Sequence, residues 1–88
     1  MIKKVIRIQN KHGLHARPCS LFVKAASQFR SEVKLQKDEL EVNGKSIMGV
    51  MMLAAEYNSN VLLVVDGVDE EEATETLEDL FLTKFGEE

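Results

Sequence analysis

Apolar and polar residues alternate with a period of two over Ile2–Ile8, and this pattern predicts a first strand with one buried face. From Ala16 onward, apolar residues recur at spacings of three and four, which predicts a helix that ends near Gln28. Alternation returns over 32–36 and over 40–42, on either side of a polar turn. The first half of the chain is therefore expected to fold as strand, helix, strand, strand.

The second half of the chain adds two helices and a strand to this prediction. Ile47–Ala55 contains no charged residue and predicts a short second helix. Val61–Val65 is a continuous apolar run, as expected of a central strand that is covered on both faces or heavily shielded on one. Asp69 and Glu72 resemble a capping box, which predicts the start of a third helix that runs to about Lys84. Residues 86–88 are expected to fray.

The predicted order of elements is βαββαβα, without an internal repeat. This order favours an α+β fold in which three helices pack on one face of an antiparallel sheet and the other face stays partly exposed. The 88 residues suffice for one hydrophobic core, so we expect a single domain over residues 1–88.

Composition and charge exclude several classes of protein. Eleven basic and fifteen acidic residues give a net charge of −4, which argues against nucleic acid as the main partner. No apolar run approaches the roughly 20 residues of a membrane-spanning helix, and Met1–Val5 does not resemble a signal peptide. The single cysteine, Cys19, fits a reducing compartment. We therefore expect a cytoplasmic protein that does not insert into a membrane.

The chemistry of the chain is concentrated between the first predicted strand and the first predicted helix. His15 falls where a helix cap is expected, and Arg17 and Pro18 follow in the first turn. The free amides and the dipole of a helix N-terminus attract an anion and disfavour the imidazolium, so the ring is expected to be neutral and nucleophilic. Arg17 is placed to contact a phosphate beside that ring. These residues predict that His15 accepts a phosphoryl group and that Arg17 contacts it.

Two other interpretations of this segment remain open on sequence alone. His15 alone is compatible with a plain polar cap. His12 and His15 have the spacing of a pair of metal ligands, but two ligands make an incomplete site, and we expect no metal. We expect His12 to be a solvated loop residue and Cys19 to be a small side chain at the helix edge, in a position where a helix N-terminus can lower the pKa of a thiol.

No second catalytic group accompanies His15, so we expect a carrier that other proteins load and unload, rather than an enzyme, and no cofactor. The second helix supports this interpretation, because a short helix with no charged residue leaves apolar side chains in solvent. We expect Ile47, Met48 and Met51 to contact partner proteins, with Lys24 and Lys45 adding positive charge around them. Ser46 is the expected cap of this helix.

Two stretches of the chain resemble the signature sequences of a known family. Gly13-Leu14-His15-Ala16-Arg17-Pro18 and Asn43-Gly44-Lys45-Ser46-Ile47-Met48-Gly49-Val50-Met51 are similar to those of HPr, the histidine-containing phosphocarrier of the phosphoenolpyruvate-dependent phosphotransferase system. The resemblance extends to chain length and element order.

The resemblance implies an open-faced β-sandwich with a four-stranded antiparallel sheet and three helices. It implies that Enzyme I phosphorylates His15 on Nδ1, that enzyme IIA domains receive the phosphoryl group, and that Arg17 contacts the phosphate. It also implies that HPr kinase/phosphorylase modifies Ser46 with ATP. We expect a monomer.

One alternative function is a regulatory HPr-like module of the nitrogen-related type, which acts mainly through protein binding rather than sugar uptake. Another is a binding module in which phosphorylated Ser46 and the second helix recruit a partner and His15 is only a cap. A small-ligand-binding α+β domain is a weaker alternative. His15 together with Arg17 favours the carrier, because a binding module does not need an imidazole at that position.

Overall fold

The computed structural model describes residues 1–87, and it confirms the predicted order of elements. The strands and α-helices, in chain order, are β1 (Ile2–Arg7), α1 (Ala16–Ala26), β2 (Glu32–Lys37), β3 (Leu40–Asn43), α2 (Ile47–Met52), β4 (Asn60–Asp66) and α3 (Glu70–Leu82). A single turn of 3₁₀ helix follows at Lys84–Gly86.

Helix α2 is shorter than the apolar run predicts. It ends at Met52, and Ala54 adopts a left-handed backbone conformation with φ of 49°. A left-handed residue reverses the chain direction and stops the helical hydrogen-bond pattern. The apolar residues beyond Met52 are therefore in a connection, where Leu53 and Ala55 are still buried.

The four strands form one antiparallel sheet in the order β1-β4-β2-β3, so β4 lies between β1 and β2. Val65 of β4 pairs with Ile2 on one side and with Val33 on the other. The structure confirms the α+β class and the open-faced sandwich, with three α-helices on one face of a four-stranded sheet.

The core lies between the helices and the inner face of the sheet. Leu35 and Leu63 are fully buried on the sheet side, and Phe22 and Phe81 are buried on the helix side, with ring centroids 5.6 Å apart. Phe85, after α3, adds a third ring whose centroid is 5.0 Å from that of Phe81. Full burial of each such side chain stabilises the fold by about 1.5–3 kcal/mol.

The outer face of the sheet explains why β4 is apolar from Val61 to Val65. Val64 points away from the core, yet it is only 8% exposed. It pairs with Lys3 on β1 and with Lys34 on β2, and the aliphatic stems of lysines cover apolar neighbours while their ammonium groups stay in water. β4 is therefore shielded by side chains from the adjacent strands, and no second layer is needed.

The predicted capping box of α3 is wrong. Among residues 1–87, the Asp69 carboxylate makes no hydrogen bond to the helix that it precedes. It instead accepts hydrogen bonds from the Ser31 hydroxyl and from the backbone amides of Arg30 and Ser31, both at 2.9 Å. The Ser31 hydroxyl, followed by these amides, lowers the pKa of Asp69 to about 2. Asp69 thus ties the start of α3 to the connection between α1 and β2.

None of the helices described between residues 1 and 87 is long and apolar enough to cross a membrane.

Candidate functional site

His15 occupies the N-cap position of α1, in an extended conformation with φ of −86° and ψ of −169°. Its carbonyl accepts the first intrahelical hydrogen bond, from the amide of Cys19 at 3.0 Å. Within residues 1–87, its imidazole makes no capping hydrogen bond to the helix. The interpretation of His15 as a plain polar cap is therefore wrong, and the ring is left available for other contacts.

The first turn of α1 offers two backbone donors beside this ring. The amides of Ala16 and Arg17 donate to no acceptor among residues 1–87, and Pro18 has no amide hydrogen. They lie at the positive end of the dipole of an 11-residue helix. The geometry therefore places free donors next to His15, as the sequence predicts for an anion at this position.

A carboxylate already lies against the ring. Glu87 Oε2 is 3.0 Å from His15 Nε2, and Glu87 Oε1 is 3.3 Å from the same nitrogen. Arg17 Nη1 reaches Glu87 Oε2 at 3.5 Å. His15 and Arg17 are thus brought together, as predicted, and an anion lies between them.

Asn10 holds this carboxylate in place. Its side chain is almost completely buried, and Nδ2 donates to Glu87 Oε1 at 2.7 Å and to the carbonyl of Lys84 at 2.9 Å. Phe85, between these two acceptors, is buried. The expectation that residues 86–88 fray is wrong for 86 and 87, because Asn10 and Phe85 anchor them; residue 88 lies outside the described residues.

The pKa of Glu87 is lowered from its ordinary value. The hydrogen bond from Asn10 is the largest cause of this lowering. The hydrogen bond and charge of His15 and the charge of Arg17 lower the pKa further, while desolvation raises it. Glu87 is therefore a carboxylate at neutral pH, and a carboxylate only accepts hydrogen bonds. It selects the tautomer of His15 in which Nε2 carries the hydrogen and Nδ1 keeps its lone pair. In the neutral form of the ring, this arrangement leaves Nδ1 as the nitrogen with a free lone pair.

Sequence reasoning missed Asn10 and Glu87. Glu87 is 72 residues from His15 in the chain, and no periodicity or motif connects them. The available signal is weak: an asparagine close before a glycine turn, and an acidic residue just beyond the last predicted helix. The packing of Phe85 against Phe81 and the hydrogen bonds from Asn10 bring Glu87 to the start of α1.

His12 and Cys19 do not combine with His15 into a metal site. The rings of His12 and His15 have centroids 6.0 Å apart with perpendicular planes. The Cys19 thiol is fully buried and donates to the carbonyl of Leu14 at 3.2 Å. Residues 1–87 contain no group of three or more side chains arranged to ligate a metal.

Burial also decides the reactivity of Cys19. Desolvation raises the pKa of its thiol to about 11, so the helix N-terminus does not make it a thiolate at neutral pH. The expectation of a side chain at the helix edge is wrong, since Cys19 belongs to the core together with Pro18 and Phe22.

Ser46 caps α2 as predicted. Its hydroxyl accepts a hydrogen bond from the amide of Gly49 at 3.1 Å, which satisfies one of the first amides of the helix. The preceding turn is fixed by the Asn43 side chain, whose Oδ1 accepts from the amide of Lys45 at 2.9 Å.

The outer side of α2 is an exposed apolar patch, which we call the α2 patch: Ile47, Met48, Met51 and Met52. Met48 is 74% exposed and Met52 is 65% exposed, whereas Val50 on the opposite side of the helix is fully buried. The prediction that part of this helix faces solvent is confirmed.

The two predicted lysines differ in their surroundings. Lys24 is exposed in the last turn of α1. Lys45 Nζ donates to the carbonyl of Phe29 at 2.7 Å, where α1 has ended. The ammonium of Lys45 is therefore engaged within the protein. Among residues 1–87, Lys24 makes no ion pair, whereas Arg17 pairs with Glu87.

Comparison with known proteins identifies the family. Residues 2–83 match the family model described as the PTS HPr component phosphorylation site. The chain belongs to the HPr family. It is 50% identical over 88 residues to the phosphocarrier protein HPr of Treponema pallidum, covering 100% of both chains. It is 53% identical over 87 residues to HPr of Neisseria meningitidis serogroup A, covering 99% of this chain and 98% of that protein.

Solved HPr structures agree with the fold described above. The crystal structure of HPr-C-His from Thermoanaerobacter tengcongensis superimposes with a TM-score of 0.96 at 51% identity, covering 100% of this chain and 99% of that one. An HPr dimer from the same organism superimposes with a TM-score of 0.80 at 50% identity, covering 99% and 100%. The expectation of a monomer therefore stays a prediction.

Proposed function

We propose that this HPr-family chain acts as one phosphocarrier unit over residues 1–88, with His15 as the residue that carries the phosphoryl group. In this proposal Enzyme I, itself loaded from phosphoenolpyruvate, donates the group, and enzyme IIA domains receive it in the cytoplasm. The family of phosphocarriers and the arrangement of His15 support it. The observation that carries it is the contact between Glu87 and His15 Nε2, which leaves Nδ1 outside that contact, while Arg17 binds the same carboxylate.

The proposed transfer uses this geometry. Nδ1 of His15 attacks the phosphorus of a phosphohistidine on Enzyme I, a new N–P bond forms, and the N–P bond to Enzyme I breaks with its electron pair returning to the donor nitrogen. Nε2 keeps its hydrogen, and the Glu87 carboxylate stabilises the positive charge that the ring acquires. Arg17 and the free amides of Ala16 and Arg17 stabilise the charge on the phosphoryl oxygens.

The α2 patch is proposed as the surface that partners contact, with Ile47, Met48 and Met51 as its apolar anchors and Lys24 and Lys45 at its edge. Its position supports this role, because the segment just before His15 is fixed to the segment just after α2. The amide of Leu14 donates to the carbonyl of Ala55 at 2.8 Å, and α1 packs on α2. A partner bound to flexible methionines on α2 is thereby held next to His15.

Ser46 is proposed as a regulatory site that HPr kinase/phosphorylase modifies with ATP. Its hydroxyl lies at the start of α2, adjacent to Ile47 and Met48. A phosphate at that position adds about −1.5 to −2 charges beside the surface that partners must desolvate.

A second candidate function is a regulatory module that acts mainly through protein binding, including the nitrogen-related type. It is favoured by similarity to the HPr-like protein Crh of Bacillus subtilis, whose solution structure is described as that of the catabolite repression HPr. Crh is 47% identical over 77 residues, covering 88% of this chain and 91% of that protein. His15 and Arg17, held together by Glu87, favour the carrier.

The test is incubation of the protein with Enzyme I and phosphoenolpyruvate, followed by intact mass. We expect one added phosphoryl group, which is lost in mild acid and survives in base, as a phosphoramidate does. His15→Ala must abolish it, and His12→Ala is the matched control for loss of an exposed imidazole. Uptake by His15→Ala would show that another residue carries the group.

A further inference from the structure

A second basic site of the protein is a cleft at the end of β1. The cleft lies between the end of this strand, the loop before β4 and the turn after α3. It has a volume of about 180 Å³ and is lined by Arg7, Ile8, Gln9, Tyr57, Asn58 and Lys84. None of these residues takes part in the proposed transfer through His15, so the cleft has no role in the function proposed above.

Hydrogen bonds of the backbone fix the walls of this cleft. The amide of Asn58 donates to the carbonyl of Ile8 at 2.8 Å, and the amide of Ile8 donates to the carbonyl of Ser59 at 2.8 Å. On the third wall, the carbonyl of Lys84 accepts from the side chain of the buried Asn10 at 2.9 Å. The cleft is therefore a property of the fold and does not depend on one side-chain rotamer.

The polar side chains around the cleft have no partner within the part of the protein that the structure describes. Among residues 1–87, no hydrogen bond is made by the side chains of Arg7, Gln9, Tyr57, Asn58 and Lys84. In the same range, Arg7 and Lys84 make no ion pair. A ligand in the cleft can therefore bind all of these groups without breaking a bond inside the protein.

Charge makes the cleft suitable for an anion. Arg7 and Lys84 give it two positive charges, and none of its six lining residues is acidic, although the chain has 15 acidic and only 11 basic residues. A cleft lined by charges of one sign concentrates the electric field and attracts the opposite ion. Guanidinium and ammonium groups both bind phosphate. A phosphate monoester, whose second pKa is about 6, is mainly a dianion at neutral pH and matches these two cations.

The size of the cleft and its uncharged side chains narrow the class of anion. Pockets for drug-sized ligands have volumes of about 300–1,000 Å³, so this cleft is too small to enclose a nucleotide. Gln9 and Asn58 carry amides and Tyr57 carries a phenol, and each of these groups donates and accepts hydrogen bonds. Such groups suit the hydroxyls of a short polyol attached to the phosphate.

We propose that this cleft binds a small phosphorylated metabolite, a phosphate monoester of a short polyhydroxylated chain. Arg7 and Lys84 bind the phosphate, and Gln9, Tyr57 and Asn58 bind the hydroxyls. The inference goes beyond the proposed function and does not depend on it, because no step of the binding uses His15. Arg7 is exposed and Lys84 is only half-buried, so water screens both charges and the affinity is in the millimolar range.

The test is a titration of the ¹⁵N-labelled full-length protein, at constant ionic strength, with glycerol 3-phosphate, with inorganic phosphate and with uncharged glycerol. We expect glycerol 3-phosphate to shift the amide signals of Gln9, Asn58 and Lys84 saturably and to bind more tightly than inorganic phosphate. Glycerol should cause no saturable shift. The amides of Ala16 and Arg17 report separately on any anion that binds at the start of α1.

A double variant with Arg7→Gln and Lys84→Gln removes both cations and should weaken the binding of glycerol 3-phosphate by about ten-fold or more. Either single variant should weaken it by about three-fold or more. The matched control combines Lys3→Gln with Arg30→Gln, which removes one exposed lysine and one exposed arginine that do not line the cleft. This control should bind as wild type does, and thermal denaturation checks that every variant is folded.

Equal losses of affinity in the two double variants overturn the inference, because they show attraction by the overall charge alone. Shifts confined to Ala16 and Arg17, or shifts of the cleft amides that do not saturate, also overturn it. Equal affinities for glycerol 3-phosphate and inorganic phosphate overturn the assignment to an ester. A failure of the proposed function is seen in the experiment with Enzyme I and leaves the outcome of this titration unchanged.

Discussion

The carboxylate of Glu87 lies 3.0 Å from His15 Nε2, so a residue near the end of the sequence is bound to the imidazole at the start of the first helix. The same carboxylate contacts Arg17 at 3.5 Å. In this state an internal anion lies beside the two side chains that we propose to hold the phosphoryl group. Binding of that group to Arg17 therefore competes with Glu87.

The first prediction concerns the tautomer of His15. In wild type at neutral pH, we expect the neutral ring to carry its hydrogen on Nε2, because Glu87 accepts from it. Glu87→Ala should increase the share of the Nδ1–H tautomer and slow phosphoryl transfer. The ¹⁵N shifts of the imidazole report the tautomer, and Glu75→Ala is the control for loss of an exposed carboxylate. A wild-type ring with its hydrogen mainly on Nδ1 would contradict the proposed nucleophile.

The second prediction concerns Arg17, whose guanidinium contacts only Glu87 among residues 1–87. Arg17→Ala should slow phosphoryl transfer from Enzyme I by about ten-fold or more while the free energy of unfolding stays within about 0.5 kcal/mol. Arg30→Ala, which removes an exposed arginine beyond the opposite end of α1, should leave the rate unchanged. Rates from single-turnover experiments and urea denaturation separate the two effects. Equal rates for the two variants would show that Arg17 does not contact the phosphoryl group.

The third prediction concerns stability in acid. The pKa of Asp69 is lowered to about 2 in the folded state, from an ordinary value of 3.8. A lowered folded-state pKa means that the ionised group favours folding, so its contribution is present above pH 3.8 and is lost as the pH falls towards 2. Asp69→Asn should be less stable near neutral pH and should lose part of the pH dependence in this window.

Urea denaturation between pH 2 and 6 measures this contribution, with Glu75→Gln as the control for loss of a carboxylate on the helix that Asp69 precedes. If Asp69→Asn keeps the full wild-type loss of stability between pH 3.8 and 2, the hydrogen bonds from Ser31 and Arg30 do not hold the ionised carboxylate.

The fourth prediction concerns the α2 patch. Met48→Asp should weaken the binding of Enzyme I, because it places a charge where a partner must remove water, and stability should change by no more than about 1 kcal/mol. Val68→Asp is the matched control, since Val68 is 84% exposed and lies in the turn between β4 and α3. Titration calorimetry measures the affinity. Equal affinities of the two variants for Enzyme I would show that the α2 patch is not part of the docking surface.

The sequence predicted the elements of the fold well because each of them depends on a local pattern. The period of two in β1 and the spacings in α1 reflect which side chains meet the core. Ser46 caps α2 through a hydrogen bond from Gly49, only three residues further along the chain. Asp69 shows the limit of this reasoning. Its position before a helix favours a cap, but the amides of the α1–β2 connection, brought close only by folding, compete successfully for the carboxylate.

In the candidate site, too, contacts between residues close in the chain were predictable, and contacts that depend on tertiary packing were not. His15 and Arg17 were predictable because two residues of one helix turn cannot be far apart. Asn10 and Glu87 were not, because their contact depends on the packing of Phe85 after α3. The burial of Cys19 was also unpredictable, since it depends on which side of α1 meets the sheet.

The last prediction concerns Ser46. Its hydroxyl accepts from the amide of Gly49 at 3.1 Å, so Ser46→Ala should cost about 0.5–2 kcal/mol of stability. Ser46→Asp keeps an acceptor at the cap and adds a negative charge at the positive end of the helix, so stability should be equal to or above that of wild type.

Docking should respond in the opposite way. A hydrated carboxylate at residue 46 lies beside Ile47 and Met48, where a partner must strip water from an apolar surface. Ser46→Asp should therefore slow phosphorylation of His15 by Enzyme I mainly through a higher KM, and Ser46→Ala should leave the rate close to that of wild type. Thr76→Asp on α3 controls for added charge alone. Equal KM values for Ser46→Asp and Thr76→Asp would show that Ser46 acts only as a helix cap. A higher KM for Ser46→Asp alone would show that a charge at the start of α2 regulates transfer to His15 by hindering docking.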